Sequence, residues 1–212
     1  MTASWKKWTR NDIIFGFIVP LIVALVIIAF PLSIPFLVSV NPALIGILVF
    51  GLEEVILIVA IPLFLGLLWN QWAGGASGFI LGSIYALSYS HQYLLGNVFA
   101  IVRGDSFSGG FFGGGGNSIL LGYLVSAMLI GYLAGSLNKG SDNFLRMLIS
   151  GLVAATTGAL LLFLSYHLSP LNVVTGPFGL FLTVVPRILF AIIIPIFAKI
   201  FMWFDIVPKT NK

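Results

Sequence analysis

The chain has 212 residues, 59% of them apolar and only 8% charged, against roughly 25% charged in a soluble globular domain. The net charge of +4 is too sparse for a nucleic-acid surface, and the lack of cysteine excludes disulfides, thiol catalysis and thiolate metal sites. With a mean hydropathy of +1.13, the chain reads as one all-α transmembrane domain over residues 1–212, a multi-pass protein of the cell membrane.

Six apolar spans follow one another. Met1 to Arg10 is a polar lead in which Lys6, Lys7 and Arg10 sit among the interface-type residues Trp5 and Trp8. The run over 13–30 is long and has no small-x-small cleavage site close behind it, which predicts a retained span rather than a signal peptide. Pro31 and Pro35 break its far end. The second span, 42–69, carries Glu53 and Glu54 and ends at Trp69-Asn70-Gln71-Trp72, which reads as an interfacial turn. The third, 73–102, repeats Gly74, Gly78, Gly82, Ala86 and Ser90 every fourth residue, a small stripe that lets a neighbouring helix approach closely.

Residues 103–117 form a glycine-rich polar loop without the Gly-Lys-Ser/Thr of a phosphate-binding loop. The fourth span, 118–137, has a second small stripe at Ala127, Gly131 and Gly135, and a charged turn from Lys139 to Arg146 follows. The fifth, 144–167, has a third stripe at Gly151, Ala155 and Ala159. After an uncharged turn, the sixth span, 178–204, contains Pro186, Pro195 and, well inside it, Arg187. Six spans put both termini on one side. Placing that side inside also puts Lys6, Lys7, Arg10, Lys139, Arg146, Lys209 and Lys212 inside, as the excess of Lys and Arg in cytoplasmic loops requires.

Charges within the spans are the first candidates for function. At 1.5 Å per residue, Glu53 lies about 16 Å and Arg187 about 15 Å from the outer ends of their helices. An arginine does not shed its proton, so it needs a counter-charge or a wet cavity. This predicts a Glu–Arg pair near the midplane, either a gating charge or a lock between helices. The helical face of Glu53 includes Gly46, Val49 and Ala60, and that of Glu54 includes Leu57, Ile58 and Ile61. The smaller neighbours favour Glu53 as the inward acid and leave Glu54 without an assigned partner. Towards the outer ends, Tyr89, His91 and Tyr93 on the third span, with His167 and Asn172 around the end of the fifth, form a candidate solute site of aromatic and hydrogen-bonding groups. Interface anchoring is the plainer role for each of them.

The run Trp72-Ala73-Gly74-Gly75-Ala76-Ser77-Gly78-Phe79-Ile80-Leu81-Gly82, with Leu121-Gly122-Tyr123 and Gly131-Tyr132-Leu133-Ala134-Gly135, resembles the S component of energy-coupling-factor transporters. The resemblance implies six helices, a vitamin-like solute bound from outside, no cofactor in the chain, and membrane partner subunits coupled to two ATPases. Ala24 and Ala29 depart from the Ala-x-x-x-Ala docking face of that family.

Glu53-Glu54, His91 and His167 also resemble, in order, the motifs of CAAX-type intramembrane proteases. That likeness implies a Glu that activates water and histidines that hold an oxyanion. Ile58, Leu87 and Leu171 stand where those motifs have arginine, phenylalanine and asparagine. A non-catalytic accessory subunit of a membrane complex is the third reading. The expectation taken forward is a non-enzymatic, solute-binding transporter subunit in the lipid bilayer, with no metal and no nucleic acid.

Overall fold

The structure is a computed structural model that describes residues 13–23, 25, 54–102, 116–168 and 176–204. Parts of the first two expected spans, the loop from Arg103, Asn172, Glu53 and both termini lie outside the described residues. Those described are helical apart from short turns, with no strand among them. We label the helices α1 (13–23, π-helical over Ile14–Ile18), α2 (54–68, a π-helical Ile56–Ala60 running into Ile61–Leu68), α3 (Gln71–Val102), α4 (Gly116–Asn138), α5 (Phe144–Leu168) and α6 (Gly176–Trp203). Ile119–Asn138 of α4, all of α5 and all of α6 are long and apolar enough to cross a membrane.

Turn chemistry sets the helix ends. The Asn70 side chain accepts hydrogen bonds from the Trp72 and Ala73 amides at 2.9 and 2.8 Å, so it caps α3, which therefore starts at Gln71 and not at Ala73. Between α4 and α5, Lys139 and Gly140 both take positive φ, 53° and 65°, the left-handed conformation that ends helices. Asn143 then accepts from the Leu145 amide at 3.0 Å and caps α5.

The core is mainly apolar and takes in a few polar side chains, and the surface is apolar as well. Ser77, Ser126, Asn138, Ser150, Thr183 and Arg187 are buried, whereas Leu145, Ile149, Leu160, Leu164, Phe181, Leu189 and Phe197 are exposed. A surface so rich in large apolar side chains fits lipid as its solvent. Inside, small residues let backbones touch. A Cβ on Gly131 of α4 would fall on the Gly74 carbonyl of α3, and one on Gly78 would fall on the Ala127 carbonyl. Gly66 of α2 comes against the Gly131 carbonyl, and Gly135 against the Gln71 amide. The small stripes of the third and fourth spans therefore meet each other, with α2 closing over the crossing. The stripe on α5 faces α6, where a Cβ on Gly151 would lie 3.2 Å from the Ala191 carbonyl oxygen.

One end of the bundle collects the charged turns. The Asn138 amide donates to the Leu67 carbonyl at 3.0 Å, tying the end of α4 to the end of α2. Lys199 near the end of α6 donates to the Asp142 carbonyl at 2.7 Å. Thus α2, α4 and α6 run towards this end, and α3 and α5 run away from it.

Backbone contact at Gly131 sets a sharp expectation. Gly131→Ala should lower unfolding stability in detergent by about 1–3 kcal/mol, the usual cost of overpacking. At Gly75, a Cβ would meet Tyr132 at an ordinary 3.5 Å. Gly75→Ala should therefore be neutral or stabilising by up to about 1 kcal/mol, the helix-propensity gain of alanine over glycine. Equal losses at the two positions would contradict the packing described.

Candidate functional site

Arg187 on α6 is buried, 3% exposed, and forms a salt bridge to Glu54 on α2 through Nη2. The sequence placed Glu53 opposite this arginine. The acid that meets it is Glu54, and Glu53 lies outside the described residues. The reason is the π turn that follows. The Ile61 amide donates to the Ile56 carbonyl, five residues back instead of four, which inserts one residue into the turn. A position before the insertion then faces the residue eight ahead rather than seven. For Glu54 that residue is Pro62, which is buried, in place of half-buried Ile61. A count based on 3.6 residues per turn assigns the two acids one position out of phase.

The arginine is held by its own helix as well. Its Nη1 donates to the Thr183 carbonyl at 2.5 Å, and the Thr183 hydroxyl donates to the Gly179 carbonyl at 2.8 Å. Pro186 removes one rung of the α6 ladder beside this turn. The carbonyl that Pro186 leaves without an amide is that of Leu182, four back, so the guanidinium bonds the next one along. Arg187 Nε is buried without a hydrogen-bond partner.

Three tyrosines frame the pair. The hydroxyls of Tyr123 on α4 and Tyr166 on α5 are hydrogen-bonded at 2.7 Å. Tyr85 on α3 packs edge-on against Tyr123, with ring centroids 4.9 Å apart, the T-shaped arrangement that aromatic pairs prefer. Both hydroxyls lie within electrostatic range of Glu54, and that of Tyr166 also lies within range of Arg187. Five helices therefore contribute to one buried polar cluster.

Its depth follows from the helix rise. Glu54 lies 15 residues before Trp69, Tyr123 lies 15 before Asn138, and Arg187 lies 16 before Trp203. At 1.5 Å per residue each is about 22–24 Å from the charged end. The acid, the arginine and Tyr123 thus share one depth relative to the charged end.

Of the other expected site residues, only the side chain of His167 is among those described. Tyr89, His91 and Tyr93 fall on α3, but their side chains are outside the described ones, as is Asn172. His167 is exposed and stacks on Phe163 with centroids 6.5 Å apart. Its neighbour Tyr166 is the one that turns inward. A usable signal was present in the sequence. Followed away from the charged end, the stripe Gly135, Gly131, Ala127 ends at Tyr123, four residues further on. The α3 stripe reaches Tyr85 beside Ala86, and the α5 stripe reaches Tyr166 seven residues after Ala159. Among the described residues, no group of three His, Asp or Glu is placed to hold a metal ion.

Removing one partner of a buried ion pair leaves a naked charge, a loss of about 3–5 kcal/mol. Arg187→Met and Glu54→Gln should each show a loss on that scale in unfolding measurements in detergent. The double variant Glu54→Gln/Arg187→Met should be more stable than Arg187→Met alone, and Glu53→Gln should cost less than Glu54→Gln. A severe Glu53→Gln beside a neutral Glu54→Gln would assign the pair to the wrong acid.

Compared with protein-family models, with curated proteins and with solved structures, the sequence matches none, so the reading of this cluster rests on its own chemistry.

Proposed function

We propose that this protein is the small-solute-binding membrane subunit of a transporter, with six spans and both termini inside. The observation that carries the reading is the buried cluster of Tyr85, Tyr123 and Tyr166 on the Glu54–Arg187 pair. Binding sites for small molecules combine apolar and aromatic walls with a few convergent polar groups, and helix bundles build them from side chains on facing helices. The net charge of the paired site is zero, which suits an uncharged or zwitterionic solute more than an ion.

Orientation supports the same reading. Lys139, Arg146 and Lys199 gather at one end of the bundle, and an excess of Lys and Arg marks the inside. The tyrosine cluster then lies on the outer side of the glycine crossings, the side from which an importer takes its solute. The expected partners are further membrane subunits that supply the energy and the inner half of the pathway.

Purification from native membranes in mild detergent, with mass spectrometry of the protein and small-molecule fractions, tests this. Expected are coupling and ATPase subunits, together with a retained solute. Tyr123→Phe and Tyr166→Phe should each weaken that retention about three- to tenfold, the worth of one hydrogen bond. A stoichiometric complex without ATPases, from which no solute is recovered, would instead indicate an accessory subunit. Cleavage of a prenylated peptide that is lost in Glu54→Ala and His91→Ala would replace the transporter with an intramembrane protease.

A further inference from the structure

The charged end carries an arrangement that the solute site does not use. Three cationic residues lie in or bond to the link between α4 and α5 and its flanking turn. Lys139 is in the link itself, exposed and in a left-handed conformation at φ 53°. Arg146, from the first turns of α5, reaches back so that Nε donates to the Leu137 carbonyl at 3.1 Å. Lys199 crosses from α6 to donate to the Asp142 carbonyl at 2.7 Å. The link is compact, since the Ser141 amide bonds the Asn138 carbonyl at 3.0 Å. Three positive charges thus stand around a five-residue link whose one acid is the exposed Asp142.

Two of these cations are long, exposed side chains tied to backbone carbonyls. Ordering such chains costs conformational entropy, so the array is already set for an anion that bridges it. Below it, towards the middle of the bundle, runs an apolar track. Leu145, Ile149 and Val153 recur every fourth residue along α5 and are 62%, 53% and 45% exposed. At the end of α6, Trp203 is 83% exposed, as suits a residue that anchors at the interface.

We infer that this corner binds the headgroup of an anionic phospholipid, with the phosphate among Lys139, Arg146 and Lys199 and an acyl chain along Leu145, Ile149 and Val153. Basic pockets between helix ends on the inner side of a membrane take anionic headgroups, and each Lys or Arg near such a surface is worth about a fivefold change in affinity. The continuity of the cations with an exposed aliphatic track selects a lipid over a soluble anion. The inference is independent of the solute site, since it uses no residue of the tyrosine cluster.

Native mass spectrometry of the full-length protein in neutral detergent tests it, with phosphatidylglycerol and phosphatidylcholine added separately. Phosphatidylglycerol should be retained in preference to phosphatidylcholine. Lys139→Gln should weaken that retention about fivefold with an unchanged melting temperature in the absence of lipid. The variant Lys139→Gln/Arg146→Gln/Lys199→Gln should abolish the preference. If losing the carbonyl bonds of Arg146 and Lys199 prevents folding, Lys199→Arg, which keeps the charge, should retain the lipid as the unmutated protein does, while Lys139→Gln retains it about fivefold less well. Equal retention of the two lipids, unchanged retention in Lys139→Gln, or displacement of the lipid by millimolar inorganic phosphate would overturn the proposal.

Discussion

The bundle depends on one contact, between the guanidinium of Arg187 and the carboxylate of Glu54. Either charge alone at this depth costs several kcal/mol, and an arginine cannot escape by losing its proton. The two helices that carry them are far apart in sequence and are adjacent only because α2 packs against α6 as well as against α3 and α4. Satisfying Arg187 therefore fixes the place of α2 in the bundle. The same arginine also bonds the Thr183 carbonyl of its own helix, so one side chain ties α6 to α2 and is itself held against α6.

Around that contact the bundle has two kinds of packing. Towards the charged end, glycine and alanine bring backbone onto backbone, with Gly66, Gly74 and Gly131 at one crossing of three helices. Without a hydrophobic driving force between helices in lipid, close van der Waals contact of this kind holds them together. Further along, the small residues give way to Tyr85, Tyr123 and Tyr166, whose rings occupy the positions the stripes lead to. The sequence of contacts from small to aromatic places the polar cluster at one depth only. A glycine crossing presents only backbone, whereas the tyrosines bring hydroxyls into the bundle.

Much of this was legible in the chain. The apolar runs and their separating turns follow from hydropathy, and the stripes at every fourth residue on three spans announced the faces that pack. The identity of the acid was not legible, because it depends on hydrogen-bond register. Nothing in Phe50-Gly51-Leu52-Glu53-Glu54 distinguishes the two carboxylates except the phase of the helix that follows, and phase is what a π turn changes. The tyrosines were passed over for a related reason. Histidine at a helix end attracts a catalytic or ligand-binding reading, yet His167 and Tyr166 are neighbours on a helix and face directions about 100° apart. The stripe that ends at Tyr166, rather than the chemistry of His167, decided which of them faces inward.

Each of the two π turns directly precedes a proline, whereas Pro186 and Pro195 are accommodated in α6 without one. In α1 the Val19 amide donates to the Ile14 carbonyl, and Pro20 follows. In α2 the Ile61 amide donates to the Ile56 carbonyl, and Pro62 follows. Both times the residue just before a proline reaches five back. A proline inside a regular helix drives its ring against the carbonyl four residues earlier. A wider turn ahead of it relieves that contact and keeps the amide before it bonded, which lipid demands of every backbone donor. In α1 the consequence is local, since Gly16 still packs against Ala73 and Ala76 of α3. In α2 the same turn changes the phase of Glu54, which precedes it. The π turn before Pro62 thus bears on the ion pair, because it sets the phase in which Glu54 meets Arg187.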